Sequence, residues 1–149
     1  MVTAEELEHI LGEKIPLTQH MGIRVESLDE NGVVLSAPLV PNINDKGTAF
    51  AGSLDTLLVL SGWGLLRARL DDRAPRIAVV ESHITYSQPV TDSIRAVCPT
   101  PATEALQALL RDLDQQGKAR IAMNASVACD GKVAVTMTAE YTVSAPRVG

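Results

Sequence analysis

Between Ala49 and Leu66 the chain is nearly all apolar, yet this stretch carries Asp55 among Ser53, Thr56 and Ser61. It is long enough to suggest a membrane span, but a carboxyl group inside a lipid-exposed helix is costly. The stretch therefore reads as a helix buried within a folded domain, over residues 52 to 70. Leu54, Leu57, Leu58, Leu60, Leu65 and Leu66 cover nearly every direction around its axis, as expected of a helix surrounded by protein. Gly62 and Gly64 sit inside it, each costing about 1 kcal/mol relative to Ala. A sheet wrapped tightly around the helix supplies the reason for such close backbone approach.

The 149 residues suit one domain, 1–149, and 46% apolar composition is enough to build a core without disulfides or metals. A net charge of −5 argues against a nucleic-acid partner, which needs a basic face. Cys98 and Cys129 are far apart, and His9, His20 and His83 fall in no ligand pattern, so no metal is expected. The opening MVTAEELEHI lacks the basic start and apolar run of a secretory signal. A reducing cytoplasmic setting is expected, with no membrane partner.

Residues 3 to 14 read as a helix, with Thr3 and Glu6 in capping-box spacing and Leu7, Ile10 and Leu11 on one stripe. Strands are expected at 22 to 28 and 33 to 39, joined by a tight turn at Asn31-Gly32. A polar loop, PNINDKGTAFAG, leads into the buried helix. Further strands are expected at 76 to 88 and 93 to 99, then a helix at 101 to 116 closed by Gly117. Strands at 120 to 129 and 133 to 143 follow, joined at Asp130-Gly131. In the last strand Val133, Val135, Met137, Ala139, Tyr141 and Val143 should face inward. Six strands without βαβ alternation, and one long apolar helix, indicate an antiparallel sheet packed on a helix, the α+β class.

The runs IPLTQHMGIRV, APLVPNINDKGTAFAGSL, LSGWGLL and VVESHITYSQPV resemble a family of bacterial thioesterases that also occurs as the C-terminal domain of YiiD-type acetyltransferase proteins. The resemblance covers most of the chain and is most specific between Leu39 and Leu66. It implies the hotdog fold: a six-stranded antiparallel sheet around a central helix, with an extra helix between the fourth and fifth strands. It also implies hydrolysis of acyl thioesters of coenzyme A or acyl carrier protein, with no cofactor beyond that substrate. Related phenylacetyl-CoA enzymes carry an asparagine, a glycine and an HGG tripeptide before the helix, and a carboxylate within it. Asn44, Gly47 and Phe50-Ala51-Gly52 stand at the first three, and Val59 stands where the carboxylate belongs. Both the histidine and the helical acid are missing.

Thioester hydrolysis needs donors for the developing oxyanion and a base to direct water. Backbone N–H groups at Ala51 and Gly52 can supply the first, although a glycine before a buried helix also serves packing alone. Asn44 is the better candidate for an orienting amide, ahead of Asn42, while either also fits a turn residue. Asp55 lies one turn before Val59 and also reads as a first-turn acid favoured by the helix dipole. On the strand at 76 to 88, strict alternation places Ile77, Val79, Glu81, His83 and Thr85 on one face. On this strand Glu81 and His83 are a closely placed acid and histidine, able to act across the interface between protomers. The expected catalytic set is therefore Glu81 and His83, with Asp55 behind them and Asn44 orienting. Asn42, Gly47, Phe50, Leu54, Leu58 and Ser61 are expected to line the substrate pocket. Lys46, Arg67, Arg69, Arg73 and Arg76 are candidates for coenzyme A phosphates. Pairing between copies is expected along residues 81 to 88, making the protein at least a dimer. The competing readings are a non-catalytic acyl-thioester binding module and, further behind, a hydroxyacyl-thioester dehydratase.

Overall fold

The computed structural model describes residues 1–73 and 76–146. Helix α1, Ala4–Lys14, begins with the expected capping box: Thr3 Oγ1 accepts from the Glu6 amide and Glu6 Oε2 from the Thr3 amide, both at 3.1 Å. Its Leu7 and Leu11 are buried. A second helix, α2 (Leu17–Met21), ends at Gly22, whose φ of 73° is left-handed. Strands β1 (Arg24–Asp29) and β2 (Gly32–Ala37) form a hairpin, and a loop leads into α3, Ala51–Leu70. Then come β3 (Arg76–Tyr86), β4 (Ile94–Pro99), α4 (Thr103–Gln116), β5 (Lys118–Cys129) and β6 (Lys132–Ser144). The six strands form one antiparallel sheet in the order β1-β2-β4-β5-β6-β3, wrapped around α3. This is the hotdog arrangement, with α4 between the fourth and fifth strands.

The two hairpins use their glycines differently. Cys129 pairs with Lys132, so Asp130 (φ 53°) and Gly131 (φ 75°) are the central residues of a tight turn, as expected. In the first hairpin Asp29 pairs with Gly32, so the turn is Glu30-Asn31 and Gly32 belongs to β2. A Cβ on Gly32 would stand 2.9 Å from Pro99 Cα, so this glycine admits the neighbouring strand β4.

Two bulges break the alternation read from the sequence. The β3–β6 register slips by one between Val79 and Glu81. Ile77 and Val79 oppose the buried Val143 and Tyr141 and face α3. Beyond the bulge, Ser82, Ile84 and Tyr86 face α3, opposite Ala139, Met137 and Val135. Glu81, His83 and Thr85 oppose Glu140, Thr138 and Thr136 on the outer face, so they do not share a face with Ile77 and Val79. A second slip, between Val127 and Ala128, buries Ala134 and leaves Val133 54% exposed, against the inward orientation expected of it.

All six leucines named above are buried in α3. Gly62 packs under Tyr141, where a Cβ would stand 2.6 Å from the ring Cζ, and Tyr141 donates its hydroxyl hydrogen to the Val59 carbonyl at 2.6 Å. Gly64 faces Leu7. β4 and β5 pair only at Ala96 with Val127 and Val97 with Ser126, and α4 packs on β5 with Leu109 and Leu113 buried. Burial of α3 is not uniform, because Asp55, Val59 and Trp63 form a half-exposed stripe toward β3, an edge strand paired only with β6.

Candidate active site

The loop before α3 is held by two asparagines. Asn44 Oδ1 accepts from the amides of Lys46 (2.8 Å) and Thr48 (3.1 Å), while its Nδ2 donates to Thr48 Oγ1 (2.8 Å) and the Ala49 carbonyl (3.3 Å). Both ends of its amide are thus engaged in shaping the loop, and Gly47 takes the left-handed φ of 80° that the turn requires. Asn42 is buried, its Nδ2 donating to the carbonyls of Met21 (2.9 Å) and Pro38 (2.8 Å), so it ties the loop to α2 and β2. The bridge between Ile43 and Ala49, and the Phe50 amide bonded to the Asn42 carbonyl, deliver the chain to the start of α3.

Phe50 is the N-cap of α3 and carries no side-chain acceptor, so no side chain caps the helix. Ala51 and Gly52 are its first two residues, whose amides have no partner within a helix. The Phe50 ring, 53% exposed, folds over Gly52. Ala51 lines a cavity of about 420 Å³ together with Asn44, Thr48, Leu54, Tyr86 and Gln88 among others, and Gly52 follows it under the ring. Gln88 is anchored through its Nε2 to the Cys129 carbonyl at 3.1 Å.

At this cavity the phenol of Tyr86 donates to Asp55 Oδ1. Partial burial, the hydrogen bond to Asp55 and that carboxylate's charge push the Tyr86 hydroxyl up to about 12, so it remains a donor across the physiological range. Tyr86 was not among the residues expected from the sequence. Its face of β3 is set by the bulge at Val80, and counting by twos from Val79 turns it outward.

Of the remaining expected site residues, Leu54 reaches the cavity, whereas Leu58 and Ser61 are fully buried. Ser61 Oγ donates to the Leu58 carbonyl at 2.7 Å, a bond within its own helix. It also lies beside Cys98, whose thiol is pushed up to about 12 by burial. Glu81 and His83 lie on the outer face, by a separate hollow of about 200 Å³ with Ala122, Thr138 and Glu140. Within one chain the sheet stands between them and the start of α3. Lys46 pairs with Asp45, Arg67 with Asp71, and Arg69 donates to the Glu30 carbonyl, which occupies three of the candidate phosphate-binding cations. Among the described residues there is no group of three or more His, Cys, Asp or Glu placed to hold a metal ion. No helix among them is long and apolar enough to cross a membrane.

An antiparallel sheet wrapped around a central helix, with a cavity at the helix's uncapped start, defines a protein of the hotdog fold. The family described as "Putative thioesterase (yiiD_Cterm)" matches residues 4–145, and the chain belongs to it. Three solved structures are similar over nearly their whole length. A protein of unknown function from Chlorobaculum tepidum TLS is 33% identical with a TM-score of 0.90, over 96% of this chain and 94% of that one. One described as a "putative thioesterase" from Shewanella oneidensis is 31% identical with a TM-score of 0.79, over 96% and 97%. A protein from Pseudomonas aeruginosa described as a "probable thioesterase" is 28% identical with a TM-score of 0.84, over 97% of each.

Proposed function

We infer that this protein hydrolyses acyl thioesters of coenzyme A or of the phosphopantetheine arm of acyl carrier protein, at the cavity where α3 begins. The observation that carries this reading is the hydrogen bond from the Tyr86 hydroxyl to Asp55, with Tyr86 and Ala51, the first residue of the uncapped helix, lining one cavity. The thioester carbonyl oxygen sits against the amides of Ala51 and Gly52, whose N–H groups point where negative charge develops. Tyr86 occupies Asp55 Oδ1 and leaves Oδ2 to take a proton from water as the water oxygen adds to the carbonyl carbon. The tetrahedral oxyanion collapses, the carbon–sulfur bond breaks, and Asp55 returns its proton to the departing thiolate. The products are a carboxylic acid and a thiol, and no cofactor takes part. Asn44 acts by holding the loop that frames the carbonyl, not by direct contact with it.

The preference for Glu81 with His83 does not carry over into this reading, because both face away from α3. The working form we propose is a dimer paired along β3, whose Val79, Val80 and Tyr86 are 40%, 49% and 48% exposed on an otherwise unpaired edge. Residence in a reducing cytoplasm accords with two cysteines that are both free and buried.

The test is thiol release from acyl-CoA and acyl carrier protein substrates by wild type, Asp55→Asn and Glu81→Gln. Asp55→Asn is expected to lose about 10² to 10⁴ in kcat, as for loss of a positioned base, and Glu81→Gln to stay near wild type. The reverse pattern returns the base to the outer face. Binding without thiol release by the wild type makes the protein an acyl-thioester binding module.

A further inference from the structure

The cavity at the start of α3 is one end of a longer feature. Asp55, Val59 and Trp63 repeat every fourth residue and lie in line on the half-exposed stripe of the helix. β3 runs back alongside, and a hydrogen bond joins helix to strand at each end. Tyr86 bonds Asp55 at one end, and Trp63 Nε1 donates to the Ile77 carbonyl at 3.1 Å at the other. Between these two ties lie Val59 on the helix and Ser82 and Ile84 on the inner face of the strand, with Val59 and Ile84 partly buried against the core. Half-exposed Val79 lies toward the Trp63 end.

The geometry points to this strip as the seat of the acyl chain, with Trp63 as its end stop, so that the preferred substrates are medium-chain acyl thioesters. The inference rests on the hydrolytic reading of the Asp55 end. A thioester carbonyl held at Ala51 and Gly52 has no route straight into the core, since Leu57, Leu58 and Ser61 are sealed. The strip, by contrast, starts at Asp55 and carries no charged residue until Arg67 on the same stripe. The indole of Trp63 is tied across it by the bond to Ile77, so the ring cannot swing aside without losing that partner. Asp55 and Trp63 are two helical turns apart, about 12 Å, which is the extended length of an acyl chain of about ten carbons.

Wild type, Trp63→Ala, Trp63→Phe and Val59→Phe should be compared on a panel of straight-chain acyl-CoAs. Trp63→Ala moves the optimum of kcat/KM to longer chains, each additional methylene accommodated adding up to about fourfold. Val59→Phe narrows the strip halfway along and moves the optimum to shorter chains. Trp63→Phe, which keeps an aromatic ring but loses the bond to Ile77, moves the optimum in the same direction as Trp63→Ala and by less. Opposite shifts from Trp63→Ala and Val59→Phe exclude a general loss of folding as the cause. An unchanged optimum in both, with normal melting, overturns the inference. If the wild type hydrolyses none of the panel, the hydrolytic reading fails separately. Calorimetric binding of thioether analogues of the same chain lengths then reads the strip without turnover: the same opposite shifts in affinity uphold it, and their absence overturns it.

Discussion

Replacing Tyr86 by Phe removes one oxygen atom and leaves the ring and the β3–β6 pairing in place. The atom lost is the donor to Asp55 Oδ1, on a side chain that is 48% exposed. A hydrogen bond to a charged group contributes about 1.5 to 3 kcal/mol net. Where that energy positions the base in the transition state, kcat falls by about tenfold to a hundredfold while KM changes little. The ionisation of Tyr86 itself is pushed from 10.0 up to about 12 by burial and by Asp55. Since the raised form is the neutral one, the donor is fully present below the ordinary tyrosine value and lost only as pH rises through the higher one. Wild type should therefore show no alkaline limb from this group below about pH 11. The assay is thiol release across pH on the best acyl-CoA substrate. Tyr86→Phe with wild-type kcat would refute the positioning role.

Two further expectations concern the scaffold. Gly62→Ala drives a Cβ into Tyr141, where Cζ stands 2.6 Å from its ideal position, and overpacking of this kind costs about 1 to 3 kcal/mol, read as a lower midpoint in urea with an unchanged slope. An unaltered midpoint would show that α3 and β6 separate freely. Val80→Glu places a charge on the exposed edge of β3 and should convert a dimer to a monomer by light scattering, while a wild type that is already monomeric at micromolar concentration rules out edge pairing.

Much of the fold was legible because it rests on local signals. The Thr3–Glu6 box, the apolar run of α3 and the Asp130-Gly131 turn each stand for a local hydrogen-bond or packing demand, and each forms where expected. The features that were not legible depend on partners distant in the chain. Gly32 answers to β4 and not to its own turn, and α2 is a single turn fixed at Gly22 and by the loop. The candidate site suffered most from the bulge at Val80. One extra residue there reverses the faces of everything after it, so alternation assigned Glu81 and His83 to the face that Tyr86 and Ile84 occupy. Asp55 was visible as a candidate, but its donor was not, because the two are 31 residues apart and meet only once the sheet has wrapped.

The same wrapping connects the missing helical acid with the proposed acyl seat. In the phenylacetyl-CoA type that the loop resembles, the carboxylate belongs at Val59, which here lies midway between Asp55 and Trp63. An ionised group at that point would sit in the strip between the two hydrogen bonds, where an acyl chain lying on it would strip its water at high cost. On the proposed reading the acid stands one turn earlier, at Asp55, nearer the start of α3 and bonded to the Tyr86 hydroxyl. Val59 is then free to be apolar. On the proposed reading, an apolar Val59, Asp55 one turn before it and Trp63 one turn after it form one arrangement, in which the charge marks one end of the strip and the indole the other.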